Sequence, residues 1–317
     1  MDESLSLYLM KIILVCSSHY MAIPAAQVLK QHGALSAIAY PAKFNKLLRP
    51  AFLQTGFSDQ VIFTLTQPGL ENELQVLIDH FEATAIFVIT FPWKLSDAVL
   101  KRPVKGCINF HPGLLPKYKG ADPIFWQLKN SEANGGFGVH VMTSAIDEGP
   151  LLFNRELPIM AGETHGMHAK RLGLLAADIV IDVAESVHLN RETTAQPADA
   201  GLYFKKPQKT DVTINWTQQS AASIEALINA TNPKYSGAYT TIRGMELAIL
   251  EVGPANVTDM NHTPVPGTIV YADVIYGLIV ACTGNEFLKV NIVFTPDGYF
   301  SGSKLFSFGF RPGEVFI

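Results

Sequence analysis

The sequence predicts an α/β domain built on a parallel sheet, followed by a small β-barrel domain. Across residues 1–190, short apolar runs alternate with segments of helical spacing, the order expected of successive strand–helix units. Across residues 208–317, short β-like runs are separated by turn residues, which is typical of a small barrel. The stretch 191–207 (RETTAQPADAGLYFKKP) is polar and contains proline, and we predict a linker there.

The elements of the first domain follow from apolar runs and helical spacing. The run 11–16 (KIILVC) is apolar and ends in two serines, which predicts a buried strand leading into a helix at 23–32. In 70–81 four apolar residues fall on one face and predict an amphipathic helix. The remaining predicted elements are strands at 35–40, 60–64, 83–90, 107–110, 137–142 and 151–159, a turn at 147–150, and a long helix at 162–189.

The second domain is predicted to contain one helix and five strands. Its β-like runs are short and bounded by glycine, proline or asparagine, the residues that most often form turns. The predicted helix covers 220–230, and the predicted strands cover 238–242, 247–252, 267–271, 277–282 and 287–294.

Composition limits the classes of protein to consider. Of 317 residues, 48% are hydrophobic and only 16% are charged, which indicates a globular protein with a sizeable core. The formal net charge of −4 does not indicate a general polyanion binder, although net charge alone does not exclude RNA. Three scattered cysteines form no disulfide or zinc pattern, and the nine histidines include no HExxH, so we expect no metal.

The N-terminus bears on cellular location. Residues 1–9 include the acidic Asp2 and Glu3, whereas a secretory signal begins with positive charge. No apolar run approaches the length of a membrane span. The sequence therefore predicts a cytoplasmic protein without a membrane partner.

One group of polar residues predicts chemistry. Asn109 and His111 end a predicted strand at positions i and i+2, where alternation points both side chains into one cavity. An amide donates a hydrogen bond to a developing oxyanion, and a protonated imidazole does the same or transfers a proton. Asp147 would pair with the imidazole, raise its pKa and fix its orientation. Ligands of parallel sheets bind beyond the carboxyl ends of the strands, where this group is predicted to lie.

Each of these residues also has an ordinary structural explanation. Asn109 and His111 alone are more simply a polar pair in a loop, and Asp147 alone is more simply a turn residue. All three together, with Leu-Leu-Pro and glycine at fixed spacing between them, favour a catalytic site.

The same residues resemble a known family. The pattern Asn109-x-His111-x-x-Leu114-Leu115-Pro116-x-x-Lys119-Gly120-x-x-Pro123-Ile124 is similar to the signature of the folate-dependent formyltransferases, and most similar to the methionyl-tRNA formyltransferase group, which includes sugar-nucleotide formyltransferases. The turn Asp147-Glu148-Gly149, after Gly138-Val139, is similar to their second motif. Stretches at 214–216, 224–230, 233–238, 266–269 and 277–282 resemble that group's C-terminal domain. The resemblance implies a Rossmann-like catalytic domain followed by an OB-like barrel.

The resemblance implies a reaction and roles for the three residues. A primary amine would attack the formyl carbon of 10-formyltetrahydrofolate. Asn109 and protonated His111 would stabilise the tetrahedral oxyanion, and Asp147 would position His111 and help move the amine proton toward the folate nitrogen.

The resemblance also implies binding residues. The pteridine ring of the folate would lie against the loop Phe91, Pro92, Trp93, Lys94 and Leu95 and against Ile146, which precedes Asp147. Ordinary loop packing explains Trp93 equally well. The acceptor would contact Ser18, His19, Lys119 and Asp122, although His19 is explained equally well as a solvated turn residue.

Three departures from the family pattern concern the acceptor. Gly113 stands where serine is usual, and Lys119 stands where arginine is usual, which weakens bidentate binding of a carboxylate or phosphate. Residues 42–50 are less charged and more apolar than the basic insertion of the tRNA enzymes. From residue 205 onward, eight lysines or arginines face nine acidic residues, whereas a phosphate-binding surface normally needs clustered positive charge.

Several functions therefore stay open. The acceptor amine is methionyl-tRNA, a nucleotide-linked amino sugar or another small amine. A hydrolase would use the same three residues to pass the formyl group to water. A folate-binding module without catalysis is the third class, and the intact Asn109, His111 and Asp147 argue against it.

Overall fold

The computed structural model describes residues 10–197, 201–258 and 263–317. The N-terminal residues 1–9, which the sequence predicts to lack a secretory signal, lie outside the described residues. The chain divides into two compact units, described separately below. Unit 1 comprises Met1–Pro123, Asn134–Pro158 and Ala169–Phe204, and unit 2 comprises Ile124–Ala133, Ile159–His168 and Lys205–Ile317. The domain boundaries drawn from the sequence, at 190 and 207, stay predictions.

A seven-stranded sheet forms the centre of unit 1. Its five parallel strands are β1 (Ile12–Cys16), β2 (Leu35–Pro41), β3 (Ile62–Leu65), β4 (Ala85–Ile89) and β5 (Cys107–His111). They lie in the order β3-β2-β1-β4-β5 and pair in parallel throughout. Every residue of β1 and β4 is buried, as expected of strands covered on both faces. The predicted Rossmann-like parallel sheet is confirmed.

Two further strands extend this sheet in the opposite direction. β7 (Asn134–Val141) pairs antiparallel with β5, and β8 (Leu151–Pro158) pairs antiparallel with β7. The short connection between β7 and β8 requires this direction, because a parallel pair needs a crossover of a dozen or more residues. The hairpin predicted from 137–142 and 151–159 is therefore present, and the sheet is mixed at this edge.

Helices cover the sheet strands and supply the core. The α-helices of the described residues, in both units, are α1 (His19–Gln31), α2 (Asn45–Gln54), α3 (Leu70–Phe81), α4 (Asp97–Leu100), α5 (Pro123–Lys129), α6 (His165–His188), α7 (Ala221–Thr231) and α8 (Gly302–Ser307). α3 buries the predicted face of four apolar residues against strand residues such as Val15 and Val88. α1 begins four residues before the prediction, with Pro24 inside it.

Two very short strands were not predicted. β6 (Tyr118–Gly120) follows β5, and β9 (Leu202–Phe204) lies inside the predicted linker 191–207. They pair in parallel with Tyr118 opposite Leu202. Three-residue strands leave no periodic pattern in a sequence, since alternation needs four or more residues to be recognised.

An antiparallel sheet of six strands forms the centre of unit 2. Its strands are β10 (Ala238–Ile242), β11 (Met245–Ala255), β12 (Ile269–Asp273), β13 (Gly277–Ala281), β14 (Phe287–Thr295) and β15 (Gly298–Ser301). The hydrogen-bonded order is β10-β11-β14-β13-β12, and β15 pairs with β14. The predicted second domain of short strands is confirmed as an antiparallel sheet, and each of the five predicted strands overlaps one of its strands. Closure of this sheet into an OB-like barrel stays a prediction.

The parallel sheet brings three loops to one edge. β1, β4 and β5 are neighbours, so their carboxyl ends meet there. The Ser17 hydroxyl after β1 donates to the Thr90 carbonyl after β4 at 2.7 Å. In the described part of the chain, no helix is both long and apolar enough to cross a membrane.

Candidate active site

Asn109 is the third residue of β5, and His111 is its last residue. In the register of the sheet, Asn109 stands opposite His140 of β7. The Asn109 amide nitrogen lies 3.1 Å from His140 Nε2 and 3.4 Å from Asp147 Oδ1. His111 is buried at 4% exposure, whereas Asn109 is half-buried. The amide is thus the group of this pair that remains open to a substrate.

The His111 ring is held from both nitrogens. Its Nε2 lies 2.6 Å from the Tyr118 carbonyl of β6, so this nitrogen carries a proton and donates it. Its Nδ1 lies 3.4 Å from Asp147 Oδ1. The ring orientation is set by β6, and the nitrogen that can gain or lose a proton faces the carboxylate.

Asp147 lies in the turn between β7 and β8 with φ of +56°, a left-handed conformation that few residues other than glycine adopt. Its Oδ2 accepts a hydrogen bond from the Gly120 backbone N–H at 2.9 Å. The side chain is 7% exposed. The structure therefore brings the three predicted catalytic residues together, from β5 and from the turn 142–150.

Burial and charge act in opposition on these groups. Burial alone would raise the pKa of Asp147, but His111, His140 and the Gly120 N–H together hold that pKa below its usual value. Burial lowers the pKa of His111, and the opposing effects of Asp147 and the Tyr118 carbonyl are smaller. Asp147 raises the pKa of His111, as the sequence predicts, but the net shift is downward because removal of the imidazolium from water costs more than the carboxylate contributes.

His140 is a site residue that the sequence analysis missed. It is 2% exposed, and its Nε2 lies 3.6 Å from Asp147 Oδ1. Its Nδ1 lies 3.1 Å from the Val141 carbonyl and donates to it, which leaves Nε2 to accept from the Asn109 amide. The sequence shows only a histidine inside an alternating apolar strand. The pairing of β7 with β5 is what places His140 opposite Asn109.

Lys119 and Asp122 were predicted to contact the acceptor. Lys119 is 4% exposed, and its ammonium nitrogen lies 3.9 Å from Glu148 Oε1, next to Asp147 in the same turn. A buried ammonium with one distant carboxylate can take a further anionic group. Asp122 is half-buried with φ of +56° and directly precedes α5.

The loop Phe91–Leu95 follows β4 at the same edge of the sheet. Phe91 and Trp93 contact edge to face, with ring centroids 5.4 Å apart, and both pack on the apolar core. Leu95 is buried at 1% exposure, whereas Pro92 and Lys94 are exposed. Ordinary packing therefore explains the partial burial of the Phe91 and Trp93 rings.

Ile146 and the loop after β1 are the other predicted contacts. Ile146 is 48% exposed beside Asp147. Ser18 precedes α1 without a side-chain hydrogen bond to the helix. The His19 and Tyr20 rings are in tilted contact, with centroids 3.7 Å apart and planes inclined by 42°. Burial, followed by Lys170, lowers the pKa of His19.

Two glycines are required by close contacts at the site. A Cβ on Gly149 would lie 1.7 Å from the Val141 carbonyl oxygen, so the turn after Asp147 closes only with glycine. A Cβ on Gly113 would lie 2.7 Å from Pro123 Cβ and 3.1 Å from His111 Nε2. This close approach explains why glycine replaces serine here.

The arrangement suits acyl transfer without a resident metal. Among residues 10–197, 201–258 and 263–317, no group of three histidine, cysteine or acidic side chains could hold a metal ion. Asn109 offers an N–H donor, His111 a nitrogen able to exchange a proton, and Asp147 a negative charge in a water-poor setting. These groups can stabilise an oxyanion and move a proton.

Comparison with known proteins identifies sequence families for both parts of the chain. A family profile described as "Formyl transferase" matches residues 63–184, and one described as "Formyl transferase, C-terminal domain" matches residues 206–299. The methionyl-tRNA formyltransferase of Nitrosomonas eutropha is 30% identical over 256 residues, which cover 80% of this chain and 78% of the relative. That of Legionella pneumophila (strain Corby) is 32% identical over 69% of each chain.

Solved structures share the fold at low identity. An N-formyltransferase from Helicobacter canadensis, in complex with folinic acid and dTDP-3-aminofucose, has a TM-score of 0.62 at 15% identity and covers 88% of this chain and 98% of its own. HypX from Aquifex aeolicus in complex with tetrahydrofolic acid has a TM-score of 0.62 at 12% identity over 93% of this chain. This chain spans about half the length of HypX, 46% of it.

Proposed function

The chain belongs to the formyl transferase family, and from this premise we propose that it transfers the formyl group of 10-formyltetrahydrofolate to the primary amine of methionyl-tRNA. The observation that carries the proposal is the meeting of Asn109, His111 and Asp147 at the carboxyl end of the sheet, with Asn109 Nδ2 and His111 Nδ1 both 3.4 Å from the same carboxylate oxygen. Relatives 30% identical over most of the chain carry this activity in their names.

The donor follows from relatives and from the loop after β4. The Helicobacter canadensis enzyme is described with folinic acid, and HypX with tetrahydrofolic acid. In this chain the loop Phe91–Leu95 and exposed Ile146 would receive the flat pteridine ring, because both offer apolar surface beside the catalytic groups.

The reaction is an acyl transfer between two nitrogens. The lone pair of the acceptor amine attacks the formyl carbon, and the carbonyl π electrons become an oxyanion. The bond from this carbon to the folate nitrogen then breaks. The proton lost by the amine ends on that nitrogen, so that tetrahydrofolate leaves neutral at that position.

Asn109 acts first in this proposal, because its amide is open to the substrate. To donate to the oxyanion, the amide exchanges its long 3.4 Å contact with Asp147 for the formyl oxygen, while the His140 contact keeps its plane. A preorganised donor of this kind contributes roughly 10²–10³-fold in rate.

His111 and Asp147 act on the proton. His111 is neutral before the reaction, because burial lowers its pKa. Negative charge developing on the formyl oxygen raises that pKa, so Nδ1 takes up the amine proton as the tetrahedral species forms. Asp147 stabilises the resulting imidazolium and returns the proton toward the leaving nitrogen.

A nucleotide-linked amino sugar is the second candidate acceptor, and the charge distribution favours it. From Lys205 to Ile317 eight cationic residues face nine acidic ones. In the segment 42–50, Arg49 is paired with Asp59 at 2.6 Å. This pairing leaves Lys43 and Lys46 as the cations of 42–50, and the balanced charge from 205 onward lacks the excess of positive charge that tracks a tRNA backbone.

The test is a panel of acceptors assayed with 10-formyltetrahydrofolate. Formylation of methionyl-tRNA that falls steeply as salt rises supports the leading proposal, because phosphate contacts are screened. Formylation of nucleotide amino sugars with little dependence on salt replaces tRNA by the second candidate. Release of formate without any amine, and no formylated product from the panel, would overturn both.

A further inference from the structure

One segment of unit 1 touches the catalytic groups and has no role in the reaction described above. It consists of residues 194–197 and 201–204, which lie in the stretch that the sequence predicts as a linker. Within it, Thr194 exchanges two backbone hydrogen bonds of 2.8 Å with Leu151, the first residue of β8. β9 then pairs with β6. The segment is therefore attached to the catalytic unit at two places, 194–196 and 201–204.

Gln196 makes the contact closest to the chemistry. Its Nε2 donates to the Asp147 carbonyl at 2.9 Å and to the Gly149 carbonyl at 2.8 Å. Two carbonyl acceptors require the NH₂ end of the amide, so its orientation is determined. The Oε1 of Gln196 is buried and accepts no hydrogen bond from any described residue. Both hydrogen bonds that the Gln196 amide donates therefore go to the turn that contains Asp147 and Gly149.

That turn needs support from outside. Asp147 has φ of +56°, a left-handed conformation that strains a residue with a Cβ. Gly149 lies too close to the Val141 carbonyl for any side chain. The carbonyls of Asp147 and Gly149 both point at Gln196, so its amide holds the turn in the conformation that aims the Asp147 carboxylate at His111.

The second attachment supports the other side of the site. β6 supplies the Tyr118 carbonyl to His111 at 2.6 Å and the Gly120 N–H to Asp147 at 2.9 Å. β9 fixes β6 through its ladder and through Phe204, whose ring stacks on Tyr118 with centroids 5.0 Å apart and planes inclined by 12°. The segment thus holds both catalytic side chains through their backbone partners.

We propose that Gln196 is a positioning residue for Asp147, and that residues 194–197 and 201–204, here called the strap, align the two catalytic loops. The catalytic part of this inference rests on the proposed formyl transfer. The alignment of the turn does not, because it is a property of the folded chain and is measured without substrate.

The experiment compares three variants of the full chain. Gln196→Met removes both donors and keeps the size of the side chain. Gln196→Glu replaces the donors by a carboxylate that opposes two carbonyls. Thr194→Ala is the matched control, since its side chain is exposed and its backbone hydrogen bonds remain.

With an acceptor that wild type formylates, kcat of Gln196→Met should fall by about 10- to 100-fold, the cost of a small misplacement of a catalytic group. KM for the folate donor should change by a smaller factor than kcat, because Gln196 donates to the Asp147 and Gly149 carbonyls and not to Ile146, which is proposed to face the pteridine ring. Thr194→Ala should match wild type, and the Tm of all variants should stay close to that of wild type.

The pH dependence separates positioning from packing. A protonated glutamic acid can donate one hydrogen bond to the two carbonyls, so the ratio of Gln196→Glu to Gln196→Met activity should rise as pH falls. Titrations of other groups affect both variants alike, so they cancel in this ratio of activities. The titratable groups facing the turn are Asp147, Glu148, His111, His140 and Lys119.

Hydrogen exchange provides the readout without catalysis. Backbone amides of 143–149 should exchange faster in Gln196→Met than in wild type, with no change elsewhere in unit 1. Unchanged exchange there, or kcat of Gln196→Met within about twofold of wild type, overturns the proposal. So does a kcat loss that parallels a loss of folded protein. Faster exchange in a chain that formylates no amine would contradict the proposed function and leave the strap intact.

Discussion

Two aspartates at hairpin turns of this protein have lowered pKa values for different reasons. Asp273, the last residue of β12, accepts from the Tyr271 hydroxyl at 2.6 Å and from the backbone N–H groups of Ile275, Tyr276 and Gly277 in the turn that follows. These hydrogen bonds, that of Tyr271 first, lower the pKa of Asp273 in an exposed setting. Every partner lies within four residues, so this carboxylate closes its turn.

Asp147 instead draws its partners from distant parts of the chain. Gly120 donates to it, and His111, Asn109 and His140 surround its Oδ1 between 3.4 and 3.6 Å. Its pKa is lowered although it is buried. A lowered carboxyl pKa is therefore weak grounds for function by itself. Burial with partners from separate strands is the stronger indication.

The largest effect should come from Asp147→Asn. This change keeps the size of the side chain and an acceptor for Gly120, but it removes the charge that stabilises protonated His111. We expect kcat to fall by about 10³-fold with donor binding retained, measured by steady-state kinetics and by titration with folinic acid. Asp273→Asn is the control and should leave kcat unchanged. A loss of less than about tenfold for Asp147→Asn would remove the carboxylate from the mechanism.

A smaller effect is expected for His140→Phe, which tests whether a partner from another strand matters. The change removes the nitrogen that accepts from Asn109, so the amide loses one of its two restraints. We expect kcat to fall by about tenfold, with His140→Gln partly restoring it because an amide oxygen can accept the same hydrogen bond. Equal activity of both variants and wild type would show that β7 contributes only packing.

The smallest effect concerns stability at lowered pH. The pKa of unfolded His111 lies near its usual 6.5, and burial lowers it in the folded protein. Between these two values the unfolded state binds more protons, so the free energy of unfolding falls as pH drops below about 6.5. Asp147 adds a loss only at more acid pH, below its ordinary value of 3.8, since its folded pKa is lowered.

Thermal unfolding between pH 7.5 and 5 measures this effect. His111→Gln should lose less Tm on acidification than wild type, because it has no group with a lowered histidine pKa at this site. His80→Gln replaces an exposed histidine and is the matched control. The same slope in wild type and His111→Gln would mean that His111 is not held neutral by burial.

Local patterns of the sequence predicted most of the first sheet and the main chemistry. The apolar runs of β1, β4 and β5 and the spaced leucines of α3 are visible because each face is buried along the whole element. α2 and β6 were missed: α2 contains Pro50 inside the helix, and β6 has only three residues. Short or interrupted elements are defined by their tertiary neighbours.

The sequence by itself determined that Asn109 and His111 share one strand end and that Asp147 lies in a glycine turn, because spacing of two in a strand and turn chemistry are local properties. Only the tertiary structure decided which groups surround them. His140 of β7, the Tyr118 carbonyl and Gly120 N–H of β6, and the Gln196 amide come from three other places in the chain. The direction of the His111 pKa was also decided there, because burial depends on packing of segments far apart in sequence and here outweighs one neighbouring charge.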